Sequence, residues 1–221
     1  MIYFSHTSVI TRVLQHVLVP AVLLLFSFTD TPTTNETMTT PSESKATTWQ
    51  IDPAHTQVEF VVTHMMFAKV RGGFNTFSGQ LVQGNDGDLA SGSFSATIDV
   101  ASIDTGNENR DNHLRSADFF DIDNHASITF ESTGIERVSE NELKVTGDLT
   151  IRGVTKSITL DVTETGTGVD PWGITRVGIE ASGTINREEF GLTWNQALEA
   201  GGVLVSKDVT LSIEAQAIAQ Q

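Results

Sequence analysis

Residues 143–162 read Leu143-Lys-Val145-Thr-Gly147-Asp-Leu149-Thr-Ile151-Arg152-Gly153-Val154-Thr-Lys-Ser-Ile158-Thr-Leu160-Asp-Val162. Apolar or small residues recur at every second position, with one break at a Gly153-x-Thr155 turn signal. Side chains alternate between the two faces of a strand, so the pattern puts one face in a core and the other in water. Parallel strands are covered on both faces and read as continuous apolar runs; this alternation therefore points to antiparallel pairing. The same period extends outward. It holds at Val58-x-Phe60-x-Val62-x-His64, Phe94-x-Ala96-x-Ile98-x-Val100 and Ile128-x-Phe130 on one side. On the other it holds at Val177-x-Ile179-x-Ala181-x-Gly183-x-Ile185 and Val209-x-Leu211-x-Ile213-x-Ala215. With Phe74–Leu81, these runs make about eight strands separated by Gly, Asn and Asp turn signals. The expected fold is all-β, an antiparallel eight-stranded up-and-down barrel, because closure removes the aggregation-prone edges of a sheet. Two short helices are expected, one over Asn107–Ser116 with Asp104 or Thr105 as cap, the other near Asn195–Ala200.

Composition narrows the function. Residues 49–221 carry eleven basic and 25 acidic side chains, a net charge of −14, and the whole chain stands at −15. Nucleic-acid binding needs cations to neutralise phosphates, so no nucleic-acid partner is expected. The 221-residue chain has no cysteine, which excludes disulfides, thiolate metal sites and cysteine nucleophiles. Nucleotide-binding and serine-hydrolase signatures such as G-x4-G-K-[ST] and G-x-S-x-G are absent.

The chain divides into three parts. Residues 1–28 contain the apolar run Val17–Phe28 behind Arg12, the length of a signal-peptide core. Residues 29–48 are Thr-rich and polar, the composition of a disordered linker, and residues 49–221 hold the barrel. The expected destination is the periplasm or the exterior. Two alternatives stay open: a membrane anchor, with membrane proximity through residues 13–28, or a late start at Met38 and a cytoplasmic protein.

A barrel of eight strands either fills with its own side chains or keeps room for one small ligand. Ala96, Gly147, Ala181, Gly183 and Ala215 occupy inward positions, so the lumen is a candidate cavity. Its expected lining is Phe60, Val62, His64, Phe94, Ala96, Ile98, Phe130, Leu149, Leu160, Ile179, Ala181 and Leu211. A closed core whose small residues only fit its taper is the alternative at this point.

Several stretches recur together: Trp49-Gln-Ile-Asp-Pro-Ala-His55, Phe60-x3-His64, Val70-Arg71-Gly72-Gly73-Phe74 and Arg110-Asp111-x-His113-Leu114-Arg115-Ser116-x-Asp118-Phe119-Phe120. Gly147-x4-Arg152-Gly153-x-Thr155-Lys156 and Asn186-Arg187-x2-Phe190-Gly191 follow. In this order and spacing the chain resembles the YceI-like family of lipocalin-like barrels over Trp49–Ala217. The resemblance implies a lumen holding a polyisoprenoid, an isoprenoid quinone or a similar long-chain lipid, with no catalysis and no cofactor. Such proteins occur both exported and cytoplasmic, so the resemblance leaves the start open.

His64, Arg71 and Arg115 are the head-group candidates. His64 continues an inward phase to a strand end, and arginine forks suit phosphates and carbonyl oxygens. The domain's four histidines, His55, His64, His113 and His125, show no ligand spacing of the H-x3-H or H-E-x-x-H kind. No metal is expected, and His113, Arg115 and Asp118 are expected to knit the 107–123 connection to the barrel. An enzyme with a histidine–carboxylate site and a filled barrel acting through protein contacts remain as alternative readings. The oligomeric state is not legible.

Overall fold

The structure, a computed structural model, describes residues 46–220. The apolar run Val17–Phe28, Met38 and nearly all of the Thr-rich segment lie outside the described residues. Eleven strands form one antiparallel sheet: β1 (Thr48–Ile51), β2 (Gln57–His64), β3 (Ala68–Phe74), β4 (Phe77–Val82), β5 (Ser93–Asp99), β6 (Ile103–Asp104), β7 (Ser127–Arg137), β8 (Glu142–Ile151), β9 (Val154–Val169), β10 (Thr175–Asn186) and β11 (Val205–Ala219). One α-helix, α1 (Glu108–Arg115), lies between β6 and β7.

These segments are eight staves. β1 and β2 form one stave interrupted by the 3-10 turn Pro53–His55, since both pair with β11: Trp49 opposite Ala219, Phe60 opposite Leu211. β3 and β4 form the next, interrupted at Asn75–Thr76, and pair with β2 and β1 respectively. From β4 the order runs β5, β7, β8, β9, β10, β11, and the β1–β11 pairing closes the ring. The expected eight-stranded antiparallel barrel is the fold observed. β6 is a two-residue ribbon beside β3.

The quoted stretch is the β8–β9 hairpin, with Leu143 opposite Val162 and Ile151 opposite Val154. Its two-residue turn holds Arg152 and Gly153 at φ of 51° and 73°, the backbone twist that tight hairpins favour. From there Arg152 donates to the carbonyls of Gly191 (3.1 Å) and Ala117 (2.9 Å), tying two loops to the α1 end of the barrel.

Two helix expectations need correction. α1 is capped by Asn107, whose Oδ1 accepts from the Arg110 N–H at 3.0 Å, and not by Asp104 or Thr105. Asp104 instead accepts from the Gly106 N–H, and Thr105 donates to buried Asp111. Asn195–Ala200 is no helix. Asn195 pairs like a strand residue with Val205, through Nδ2 to its carbonyl (2.8 Å) and Oδ1 to its N–H (3.1 Å), and Ala197 bridges to Val203. Those side-chain bonds compete with a helical ladder. The helical turn lies earlier, at Arg187–Phe190, capped by Asn186.

Packing is concentrated at the two ends. Away from α1, Trp49, Leu81, Leu143, Val145, Val177 and Ala217 form a dense plug. Beneath α1, Val100, Phe119, Phe190 and Leu192 from the connections pack with Ile103 and Ile128 from the strands into a second cluster. At the plugged end Arg176 joins the first stave to the β9–β10 turn, donating from Nη1 to Asp52 (2.6 Å) and from Nε to Asp170 (2.9 Å). His55 lies 2.9 Å from the same Asp52 carboxylate. Hydrogen bonds from Arg176, then His55, hold the Asp52 carboxyl down to about 2. A depressed carboxylate contributes stability that is complete above its unfolded value of about 3.9 and is lost as pH falls through the folded value. Asp52→Asn should therefore melt below the wild type at neutral pH, and the gap in thermal midpoint should close on acidification from about pH 4 to about pH 2. A gap that stays constant over that range would contradict the assignment.

Candidate functional site

Between the two packed ends the barrel encloses a cavity of about 620 Å³. That lies within the range of about 300–1,000 Å³ typical of ligand pockets. Its wall is the inward phase of the staves. All twelve residues expected to line the lumen do so: Phe60, Val62, His64, Phe94, Ala96, Ile98, Phe130, Leu149, Leu160, Ile179, Ala181 and Leu211. An aromatic chain crosses one side, with Phe60 and Phe74 rings 5.8 Å apart and Phe74 and Phe120 6.1 Å apart.

The five small inward residues divide into two kinds. Ala96, Ala181 and Ala215 line the cavity, and across the β10–β11 ladder each alanine faces an isoleucine: Ala181 opposite Ile213, Ile179 opposite Ala215. Gly147 and Gly183 contribute no open space. A Cβ on Gly147 would sit 2.4 Å from the Phe130 ring and 2.6 Å from the Glu131 carbonyl, and one on Gly183 would sit 2.7 Å from Leu160. These glycines let neighbouring side chains lie flat on the wall, which is packing and not vacancy.

Part of the polar lining stands at the α1 end, where the cavity reaches exposed Asn109 and Arg110 together with Thr105, His113 and His64. Arg110 is held by Thr105, donating from Nε to the hydroxyl (2.7 Å) and from Nη2 to the carbonyl (2.7 Å). His113 is positioned by Asp118 at 2.9 Å and stacks edge-on to Trp194 and Phe119, at 4.8 and 5.1 Å. Arg187 is buried and lines the same cavity. It donates to the carbonyls of Leu192, Trp194 (3.0 Å), Val205 (3.4 Å) and Ser206 (2.9 Å). Burial pulls its guanidinium below the ordinary arginine value. The arginine and lysine ion pairs among the described residues engage Arg137, Lys144 and Arg176, leaving Arg110 and Arg187 without a carboxylate partner.

Two head-group candidates lie elsewhere. Arg71 sits on the outward phase of β3, exposed and outside the cavity lining. Arg115 is spent on the barrel, donating to the carbonyls of Ala101 (2.9 Å) and Ile103 (2.7 Å), the knitting role expected of it beside His113 and Asp118. Arg110 and Arg187 are the cations at the cavity that sequence reasoning missed. Both stand in the quoted stretches, but only the placement of α1 and of the loop after β10 brings them together. Among the described residues no three His, Asp or Glu side chains converge as a metal site.

The cavity also reaches the wall between the first two staves. Pairing runs from Thr48–Val82 to Gln50–Gln80, lapses, and resumes at Glu59–Gly73. Through this gap the outward-facing Glu59, Ser78 and Gln80 join the lining. The two staves part because the Asp52 N–H is held by Gln216 on β11, whereas the Asn75 N–H is held by Ser102 on the opposite side.

Comparison with known proteins places this architecture. The model of the YceI-like domain matches residues 49–217. The chain belongs to that family. The YceI-like domain here is 44% identical over 171 residues to UPF0312 protein SA2479 of Staphylococcus aureus, covering 77% of this chain and 96% of the relative. Among solved structures it is similar to Burkholderia cenocepacia BcnA, with 27% identity, a TM-score of 0.65, and 75% and 98% of the two chains covered. The Campylobacter jejuni YceI protein is similar at 30% identity and a TM-score of 0.62, over 72% and 90%. A polyisoprenoid-binding domain from Saccharophagus degradans shares the fold at 16% identity and a TM-score of 0.57, over 78% and 98%.

The open lumen of this YceI-like domain makes a sharp prediction. In protein stripped of lipid, Ala96→Phe and Ala181→Phe should project a ring into the cavity and shift the thermal midpoint little. Gly147→Ala, which meets backbone as well as a ring, should destabilise by about 1–3 kcal/mol, the cost of overpacking. Comparable losses for all three in chemical denaturation would mean that the lumen is packed shut.

Proposed function

We propose that this domain binds and carries one long-chain amphiphilic lipid, most simply a polyisoprenoid or isoprenoid quinone, without chemistry on it. The single observation that carries this reading is the apolar cavity of about 620 Å³ inside a closed barrel. Burying a methylene is worth about 0.8 kcal/mol, and association costs about 4–15 kcal/mol. About nineteen buried carbons are therefore needed before the upper cost is met. That arithmetic favours a long tail over a short one. The name of the Saccharophagus degradans domain, polyisoprenoid-binding, supports the ligand class on a shared fold.

The head group belongs at the α1 end of the cavity, where Arg110, Arg187, His64 and His113 gather. Uncompensated guanidinium groups suit a phosphate, a carboxylate or a quinone carbonyl. No cofactor is needed, since uptake and release break no bond. Export through residues 1–28 fits a carrier that works on lipids outside the cytoplasm, and amino-terminal sequencing of the native protein tests it: a mature end in the Thr-rich segment after Phe28 other than Met38 supports export, and a start at Met38 in the cytoplasmic fraction opposes it.

Organic extraction of the native protein followed by mass spectrometry should recover a long-chain lipid near one per barrel. Protein that is always empty and, once stripped, refuses polyprenols and quinones would overturn the reading. The head-group assignment has its own test. Arg110→Gln should weaken farnesyl diphosphate about tenfold, the value of one charge-assisted hydrogen bond, and leave farnesol binding unchanged.

A further inference from the structure

The β2–β3 connection presents apolar side chains where the fold offers them no cover. Met65, Met66 and Phe67 are exposed, Phe67 by 78%, and exposed Val203 stands in the neighbouring 198–203 loop. The two loops touch: the Met65 N–H donates to the Leu204 carbonyl at 2.8 Å, and Met66 lies over Gly202. Met65 and Met66 also occupy a conformation that suits neither residue, with φ of 51° and 71°, closed by the Phe67 N–H to the His64 carbonyl. Turns with two successive positive φ values ordinarily carry Asn-Gly. Here the turn holds two large apolar side chains instead, in a strained backbone that aims them outward.

The place of this tip is informative. His64 and Leu204, which flank it, line the cavity, so the tip forms part of the rim through which the lumen opens beside α1. Its surroundings include exposed cations. Lys69 and Arg71 on the outer face of β3 and Lys207 at the start of β11 are all exposed and outside the ion pairs of the described residues. They are three of the eleven cations in a domain of net charge −14; the carboxylates near them are Glu59 on the outer face of β2, Asp208 beside Lys207, and exposed Glu188 and Glu189 in the turn that Arg187 ties to Val205 and Ser206.

We infer that this tip is the surface by which the barrel docks on a lipid bilayer to exchange its ligand. The inference rests on the carrier reading, because a lipid with a long apolar tail resides in a membrane and not free in water. Met66, Phe67 and Val203 enter the interfacial layer, as amphipathic elements do, and the flanking lysines meet anionic head groups. The rim of the cavity then lies against the bilayer, and a tail passes from one apolar phase to the other without crossing water. Exposed apolar residues also stand at the opposite end, Val138 in the β7–β8 turn and Val169, Trp172 and Ile174 at the β9–β10 turn, but the packed plug lies between them and the lumen.

The chain has no cysteine, so one introduced thiol labels a single position. In the full chain, acrylodan on Phe67→Cys should shift to shorter wavelength on adding vesicles of phosphatidylcholine with phosphatidylglycerol, and the same label on Val138→Cys should not. This local readout separates docking by the tip from any attachment through residues 13–28. Lys69→Gln and Lys207→Gln should each weaken binding to the anionic vesicles about fivefold. A double change, Met65→Asn with Met66→Gly, suits the turn while removing its apolar side chains. It should keep the thermal midpoint or raise it, slow transfer of farnesol from vesicles, and leave uptake of farnesol from cyclodextrin unchanged. An unshifted Phe67 label, a shift at Val138 instead, or unchanged transfer in the double variant would overturn the docking surface. Failure of the wild type to take farnesol from cyclodextrin would overturn the cavity reading, which is thereby tested apart from the docking.

Discussion

Eight strands closed into a ring leave a lumen that these side chains are too small to fill. The middle of the β10–β11 ladder shows the reason in miniature: two bulky inward residues face alanines across the pair, Ile179 opposite Ala215 and Ile213 opposite Ala181. A close-packed interior would interdigitate across the barrel and lose such space. Instead the packing is pushed to the ends, where Leu81, Leu143 and Ala217 are fully buried in one cluster and Val100, Ile103 and Phe190 in the other. Those two clusters hold the fold together, and the middle is left for a ligand.

The α1 end is built from irregular chain, and irregular chain leaves carbonyl groups that a ladder would have satisfied. Arginines take up that work. Arg115 serves Ala101 and Ile103, Arg152 serves Ala117 and Gly191, and Arg187 serves four carbonyls of the segment after β10. Each has several donors in a rigid fork, so one side chain ties two or more loop turns to the barrel. The same device leaves positive charge beside the lumen, because carbonyl dipoles satisfy the donors of Arg187 without neutralising it. Arg187 thus both ties the loops at this end and lines the cavity.

The gap between the first two staves belongs to the same economy of backbone bonds. Pro53 has no N–H to give, and the chain around it follows β11, whereas Asn75 and Thr76 follow the Ser102 turn. With each stave loyal to its other neighbour, the wall between them opens for several residues, and polar side chains such as Gln80 and Ser78 reach the lumen from outside. Closure of the ring survives because β11 is long enough to bond β2 at one end and β1 at the other.

Most of the strands, their antiparallel sense and the inward residues were legible in the sequence by itself, since each depends only on a local period of two. The run expected over Phe74–Leu81 instead breaks at Asn75–Thr76 into the ends of two strands, β1 and most of β3 carried no such run, and Val100 turns out of its strand into a 3-10 turn. The sequence also announced the site's wall, because an inward residue of a barrel is a lining residue wherever the lumen stays open. It did not determine how much of the lumen is open: Gly147 and Ala96 look alike in a pattern of small residues, but one is covered by Phe130 and the other is not. Nor did it separate the arginines. Arg71, Arg110, Arg115 and Arg187 have the same chemistry, and which of them reaches the cavity depends on where α1 and the loop after β10 come to rest. The stretch after Trp194 misled for a related reason, as Asn195 trades a helix for hydrogen bonds to Val205, ten residues away. Periodicity records which face a residue shows, but the bonds that place loops over a barrel end join residues distant in sequence, and only the folded chain brings them within reach.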